Sequence, residues 1–443
     1  MGKYFGTDGF RGRVGDVLTA THALRIGCCL GQHFGKGRVL IGKDTRCSGD
    51  LLEAALAAGI AATGGEAMLL GVIPTPALPY LIRQGGYDGG VMISASHNPF
   101  ADNGIKLFGG DGEKLSDAAL ALPERYLAGE AEPCFVTEGA VGRLSFYGDG
   151  YALYRARLLS LAEERYHGLR VGLDAANGSA CRLAREVFEA LGATVTAIGE
   201  QPDGQNINRG CGSTQIGSLC ALVREQGLDV GFAFDGDADR CIAVDAAGQV
   251  VDGDAILYVM SRALQERGAL HGGTVVTTVM SNMGLARALE PLGIACEQTA
   301  VGDRYVAERV RKMGYSLGGE QSGHIIFSAL SDTGDGLLTA ILLADRIRES
   351  GLPLQRLTDG YKPYPQLLRS LPIRSAAALR EDAALWERLQ GLEARLGENG
   401  RLLVRPSGTE PVVRIMVQAS EASLCERIAE RAQHDLTERG HLQ

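Results

Sequence analysis

The chain has 443 residues, and at about 100–200 residues per domain that length excludes a single small binding module. Hydrophobic residues make up 45% and charged residues 22%, the mixture of a chain that buries sizeable cores and is not disordered. Lys+Arg 44 against Asp+Glu 53 leaves a net charge of −9, which argues against nucleic acid or an anionic membrane as partner, so any anionic ligand needs a local cationic cluster.

The 61 glycines follow no collagen period and point to tight turns and close backbone approaches. Ten cysteines, with Cys28 and Cys29 adjacent, form no CxxC pair and no framework spacing, so reduced thiols in a cytoplasmic protein are expected. Lys3, Asp8, Arg11, Arg13 and Asp16 charge the first segment, and no window of about 18 residues is apolar and uncharged, so neither a signal peptide nor a membrane span is predicted.

In chain order, a strand-helix-strand-helix-strand pattern recurs three times. The first unit opens with the apolar run Arg38–Ile41, turns at Asp44-Thr45-Arg46, ends a helix near Gly65, and closes with Tyr87–Ile93. The second opens with Leu169–Leu173, turns at Asp174–Gly178, passes Gly192 and closes with Leu228–Phe234; the third opens with Thr274–Val279, turns at Met280-Ser281-Asn282, passes Gly293 and closes with Tyr315–Gly319. Each closing strand runs into a polar loop: Ser94–Pro99, Asp235–Arg240 and Glu320–His324. Ligands gather at the carboxyl ends of strands in open α/β sheets, so three such units can aim one loop each at a shared cleft. Prolines 353, 363, 365 and 372 mark a boundary. Beyond it Arg401–Val404 and Val412–Val417 read as strands, and Leu424, Ile428, Ala432 and Leu436 as the buried stripe of a final helix, giving a smaller α+β domain.

Asp235-Gly236-Asp237-Ala238-Asp239-Arg240 offers alternate carboxylates that can converge on Mg²⁺ as hard oxygen ligands. It is not an EF-hand, because Arg240 stands where that turn needs glycine and Ala246 where a bidentate glutamate belongs. Ser96 offers a hydroxyl nucleophile without the GxSxG elbow, and adjacent His97 is not read as its base, since neighbouring side chains usually diverge. Lys106 stands where it can meet a phosphate or a reacting hydroxyl. Arg405-Pro406-Ser407-Gly408-Thr409-Glu410-Pro411, between two predicted strands, combines guanidinium, hydroxyls and backbone N–H groups suited to a phosphate dianion, with Arg414 adding charge. Gly109–Lys114 has the wrong spacing for a nucleotide P-loop, and no GxGxxG follows a strand. Taken singly, each string also fits an ordinary polar turn.

Together, Thr7-Asp8-Gly9-Phe10-Arg11-Gly12, the Ser96 loop, the three-aspartate loop, Gly319-Glu320-Gln321-Ser322-Gly323-His324 and Arg405–Pro411 resemble the α-D-phosphohexomutase family over essentially the whole chain. Gln321, where the phosphomannomutase/phosphoglucomutase branch typically has methionine, and Asn206-Ile207-Asn208 with Cys211–Thr214 favour the glucosamine-phosphate branch. Ala238 departs from the family's usual glycine. The resemblance implies three related α/β (mixed-sheet) domains plus a smaller C-terminal α+β domain around a central cleft, divided at 1–150, 151–251, 252–366 and 367–443.

It further implies that Ser96 carries a phosphoryl group and, with Asp235, Asp237 and Asp239, holds one Mg²⁺. Arg11, Lys106, His324 and Arg240 then surround the reacting oxygen, Glu320 and Ser322 grip sugar hydroxyls, and Arg405, Ser407, Gly408, Thr409 and Arg414 hold the distal phosphate. The implied reaction interconverts glucosamine 6-phosphate and glucosamine 1-phosphate through a hexosamine 1,6-bisphosphate, upstream of UDP-N-acetylglucosamine. The alternatives are a phosphomannomutase/phosphoglucomutase or a non-catalytic sugar-phosphate sensor. The expected partner is a small phosphosugar, with no nucleic acid and no membrane, and a homodimer is expected by resemblance.

Overall fold

The apolar runs that open and close each repeat are inner strands, buried on both faces, as continuous rather than alternating hydrophobicity requires. The computed structural model describes residues 2–6, 8–35, 37–406 and 411–443. Its first sheet comprises β1 (Phe10–Arg13), β2 (Arg38–Lys43), β3 (Glu66–Val72), β4 (Gly89–Ile93), β5 (Asp102–Gly109) and β6 (Leu144–Phe146), in the order β1-β5-β4-β2-β3-β6. The second comprises β7 (Arg170–Asp174), β8 (Thr194–Ile198), β9 (Val230–Phe234), β10 (Cys241–Asp245) and β11 (Val250–Val251), ordered β11-β10-β9-β7-β8. The third comprises β12 (Thr274–Thr278), β13 (Ala295–Thr299), β14 (Leu317–Gly319) and β15 (Ile325–Phe327), ordered β13-β12-β14-β15.

One feature recurs in all three sheets and positions the chemistry. Each closing parallel strand pairs on its far side with an antiparallel strand that returns across a short loop, with Ile93 opposite Ile105, Phe234 opposite Cys241 and Gly319 opposite Ile325. The expected polar loops are therefore hairpin connections, anchored on both sides by strands that are buried apart from the ends of β5. The return strands have no sequence signal as clear as the parallel ones. Asp102–Gly109 carries Asn103 and Lys106 within the buried middle of a strand.

The fourth sheet is β16 (Gln366–Pro372), β17 (Gly400–Pro406) and β18 (Val412–Ala419), antiparallel in the order β16-β18-β17. The stretch read as a proline-marked boundary thus contains an edge strand, with Pro365 and Pro372 at its two ends, where a missing N–H costs the ladder little. Arg405 and Pro406 belong to β17 rather than to the loop after it. The final helix, Ala422–Glu438, buries Ile428, Ala432 and Leu436 against Val413, Ile415 and Val417, with Ile428 and Leu436 each worth about 1.5–3 kcal/mol in area removed from water.

The described residues form two compact units: 1–280 with 296–359, and 281–295 with 360–443. The first contains the first two sheets and nearly all of the third. The second contains the antiparallel sheet together with the helix Met283–Leu289, tied in where Asn282 Nδ2 donates to Tyr364 O at 2.9 Å and Met283 N donates to Gln418 Oε1 at 2.9 Å. Among the described residues no helix is long and apolar enough to cross a membrane.

Candidate active site

Ser96 lies on the loop after β4, fully buried, with φ +51°. Its Oγ donates to Asp235 Oδ2 at 2.6 Å, joining a loop of the first sheet to one of the second. That approach requires a glycine between the first two aspartates. A Cβ on Gly236 would lie 2.6 Å from the Ser96 carbonyl oxygen. His97 Nδ1 sits 3.2 Å from Ser96 Oγ, correcting the expectation that the two side chains diverge. The left-handed backbone at Ser96 breaks the alternation on which that expectation rested. Burial, then Arg240 and Arg11, push the His97 imidazole down to about 4, so the ring is neutral near pH 7.

Asp235, Asp237 and Asp239 are all buried, each with a carboxylate oxygen within 4.8 Å of the others. Lys106 Nζ donates to Asp237 Oδ2 at 2.7 Å, and Thr75 Oγ1 donates to the same oxygen at 2.5 Å. Burial opposes a charge on Lys106, but Asp237, Asp8 and Asp239 outweigh it and hold the ammonium well above its ordinary value. Burial, reinforced by Asp239 and Asp237, pushes the Asp235 carboxyl up. Asp239 is also opposed by burial, yet Lys106 and His324 keep it well below the usual carboxylate range. Asp237 Oδ1 and Asp239 Oδ1 are buried without a hydrogen-bond partner. Three converging hard oxygen donors, two of them orphaned, fit a divalent cation such as Mg²⁺.

Arg240 brings its guanidinium within 4.0 Å of Asp235 and 3.9 Å of Asp239. His324 comes from the third sheet: Nδ1 faces Asp239 at 3.7 Å and Nε2 accepts the Gly334 N–H at 3.0 Å. Burial lowers its pKa, and the contact with Asp239 more than reverses this, for a net rise. Gly323, with φ +92°, lets the Glu320–His324 loop lie against the second sheet, where a Cβ would come within 2.4 Å of Cys241 O. In the same loop Ser322 Oγ lies 3.5 Å from Glu320 Oε2. The Gln321 amide instead donates to Asp252 Oδ2 at 3.1 Å, the residue capping the helix Gly253–Glu266.

Arg11 pairs with Asp8 and donates to Ala95 O at 3.4 Å, which places it beside the Ser96 loop. Asp8 is shared further: Lys114 Nζ bridges Asp8 and Asp303 at 2.5 Å each. Lys114, Asp303 and Thr75 were not singled out by sequence reasoning, and no motif around them signals a role. A polar cavity of about 240 Å³, lined in part by Lys114, Asp303, Arg304 and His324, adjoins this network. A larger, more apolar cavity of about 400 Å³, lined by Met260, Leu264 and Phe327, holds none of these groups.

The first unit thus brings together Ser96, Lys106, Arg11, the three aspartates, Arg240, Glu320, Ser322 and His324. Arg405 and Arg414 lie in the second unit, directly opposite each other on β17 and β18. Burial and the facing Arg414 lower the Arg405 pKa, the mark of paired cations suited to an anion. Ser407, Gly408 and Thr409 lie outside the described residues.

The chain matches all four domain descriptions of phosphoglucomutase/phosphomannomutase: alpha/beta/alpha domain I over residues 2–131, domain II over 149–248, domain III over 252–364 and the C-terminal domain over 369–434. The chain belongs to this family of phosphohexomutases. It is 48% identical over 446 residues to the phosphoglucosamine mutase of Lachnoclostridium phytofermentans, covering all of both chains. It is 48% identical over 437 residues to that of Geobacillus kaustophilus, covering 97% of each. Among solved structures, a phosphoglucomutase/phosphomannomutase family protein from Burkholderia thailandensis has the same fold, with TM-score 0.81 at 24% identity over 100% of this chain and 99% of that one. So does the Aspergillus fumigatus N-acetylphosphoglucosamine mutase solved with GlcNAc-6P and magnesium, with TM-score 0.71 at 17% identity over 99% and 96%.

Proposed function

We propose that the protein is a phosphoglucosamine mutase that interconverts glucosamine 6-phosphate and glucosamine 1-phosphate, with Ser96 as the phosphoryl carrier. The observation that carries this reading is the buried Ser96 Oγ held at 2.6 Å from Asp235 beside two further aspartates and Lys106. The 46–48% identity to phosphoglucosamine mutases over the full length supports the choice of sugar. In the forward direction the bond between phosphorus and Ser96 Oγ breaks as one to sugar O1 forms, O1 giving up its proton and Ser96 Oγ regaining one. After the bound 1,6-bisphosphate reorients, its 6-phosphoryl group returns to Ser96 Oγ.

Lys106, kept protonated by its aspartate neighbours, and Arg11 and Arg240 offset charge on the moving group. Glu320 and Ser322 hold sugar hydroxyls, and His324 completes the electrostatic surround. Arg405, Arg414 and the 407–409 segment grip the phosphate that is not reacting. Asp235, Asp237 and Asp239 would hold one Mg²⁺, with Ser96 contributing a phosphoryl oxygen; bound there, the ion supplies charge neutralisation. Domain divisions at 150, 251 and 366, a homodimer and a cytoplasmic location belong to the same reading.

The test is a coupled assay with glucosamine 6-phosphate, Mg²⁺ and trace hexosamine 1,6-bisphosphate, alongside peptide mass mapping of Ser96. Ser96→Ala should abolish turnover, and near-normal activity in that variant would reject the phosphoserine mechanism. Comparing kcat/KM for the 6-phosphates of glucosamine, glucose and mannose separates this reading from a phosphomannomutase/phosphoglucomutase. Tight binding without interconversion would instead mark a sensor.

A further inference from the structure

Outside the groups that touch the reacting atoms, the most heavily committed side chain near Ser96 is Arg46. Its guanidinium is fully buried, and Nε donates to Asp44 Oδ2 at 2.9 Å. Nη2 donates to the carbonyl oxygens of Ser96 and Asn98, both at 2.9 Å, and Nη1 to those of Asp102 at 3.0 Å and Pro99. Asn208 reaches two of these oxygens from the second sheet's side, its Nδ2 donating to Ser96 O at 2.9 Å and Asn98 O at 3.2 Å. The N–H of Ser96 is held as well: it donates to Ser94 Oγ at 2.9 Å, and Ser94 donates in turn to Asp44 Oδ2 at 2.6 Å. Both backbone polar groups of Ser96 are therefore fixed, in a left-handed conformation that an L residue keeps only under such constraint.

We infer that Arg46 and Asn208 are positioning residues for the phosphoryl carrier, gripping the same two loop carbonyls from two different domains so that only the Ser96 side chain changes between turnovers. This rests on the reading of Ser96 given above. A phosphoserine gains and loses about two negative charges in each cycle, a force that would swing an unrestrained loop. An error of about 1 Å in a reacting atom can cost on the order of 100-fold in rate. The planar five-donor fork of Arg46 meets four carbonyls and a carboxylate at once, which a lysine's three-donor point charge cannot do.

The test uses the full chain with Mg²⁺, glucosamine 6-phosphate and trace 1,6-bisphosphate, and compares Arg46→Lys, Asn208→Gly and Asn208→Asp with Ser96→Ala. Glycine and aspartate both tolerate the +58° φ at position 208, so these variants remove the donor without forcing the backbone. Each positioning variant is expected to lower kcat about 10–100-fold with KM within about threefold, and to slow phosphorylation of Ser96 by the bisphosphate, followed by peptide mass. The effect of the Arg46→Lys/Asn208→Gly double variant should depart from the product of the single effects, because both side chains hold the same oxygens. If both Asn208 variants keep kcat within twofold while Ser96→Ala is inactive, the inference fails and the Ser96 reading stands, even if they melt earlier. An active Ser96→Ala overturns both. Should Arg46→Lys fail to fold, the Asn208 variants decide.

Discussion

Left-handed backbone concentrates where the chemistry is. Among the described residues, the non-glycine positions with positive φ are Ser96, Glu138, Ala176, Asn177, Asn208 and Ala238, and all but Glu138 lie in the loops at the strand ends of the first two sheets. Ala238 gives the family's usual glycine a physical reason: at φ +56° in a fully buried loop, a Cβ is strained whatever space surrounds it. Ala238→Gly is therefore expected to stabilise the chain by about 1 kcal/mol, read from urea unfolding, with turnover retained. A destabilised variant would show that the methyl group's packing outweighs the backbone strain. Lys106 shows how distant chain sets a residue's surroundings. A lone lysine in a sequence is usually solvated, yet this one is 1% exposed, because the three-aspartate loop that pairs with it comes from more than 100 residues away.

At the scale of elements, the C-terminal helices depend on a cap that is also an ion-pair hub. Asp382 accepts the Leu385 N–H at the start of the helix Ala383–Ala394 and pairs with Arg439 and His441. The hydrogen bond from Arg439, then that from His441, hold its carboxyl well below the usual range. A depressed folded-state pKa contributes stability that is present above the unfolded value of about 3.9 and lost as pH falls through the folded one. Acid unfolding of the second unit should steepen below about pH 4, and Asp382→Asn, which keeps the cap, should flatten that slope. An unchanged slope in the variant would remove Asp382 from the account.

For the whole molecule, the division into two units separates the chemistry in a testable way. Ser96 and the three aspartates lie in one unit, and Arg405 and Arg414 in the other. EDTA should stop turnover and lower the melting temperature of the first unit, and Mg²⁺ at about 100 times its Kd should restore roughly 2.7 kcal/mol. Unaltered activity and melting in metal-free buffer would reject the aspartate assignment. Leu436→Ala, which empties a fully buried position in the second unit's core, should cost about 2–5 kcal/mol there, and calorimetry should find divalent-ion affinity unaltered.

Local pattern by itself determined the three repeats, their inner strands, the polar loops that follow them and the final helix, because continuous burial and glycine-ended helices leave a readable trace along the chain. The three-aspartate loop stood out by its alternate spacing, whereas Ser96 and His324 took their expected roles from the resemblance that the strings make together, each string alone fitting a polar turn. Tertiary structure alone decided the antiparallel return strands, the buried ion pairs of Lys106 and Lys114, the grip of Arg46 and Asn208 on the Ser96 loop, and the diversion of Gln321 to a helix cap. All of these depend on partners supplied by distant chain. Whether a charged side chain is a solvated ornament or a buried counter-ion is settled by what folding places opposite it, and no periodicity encodes that.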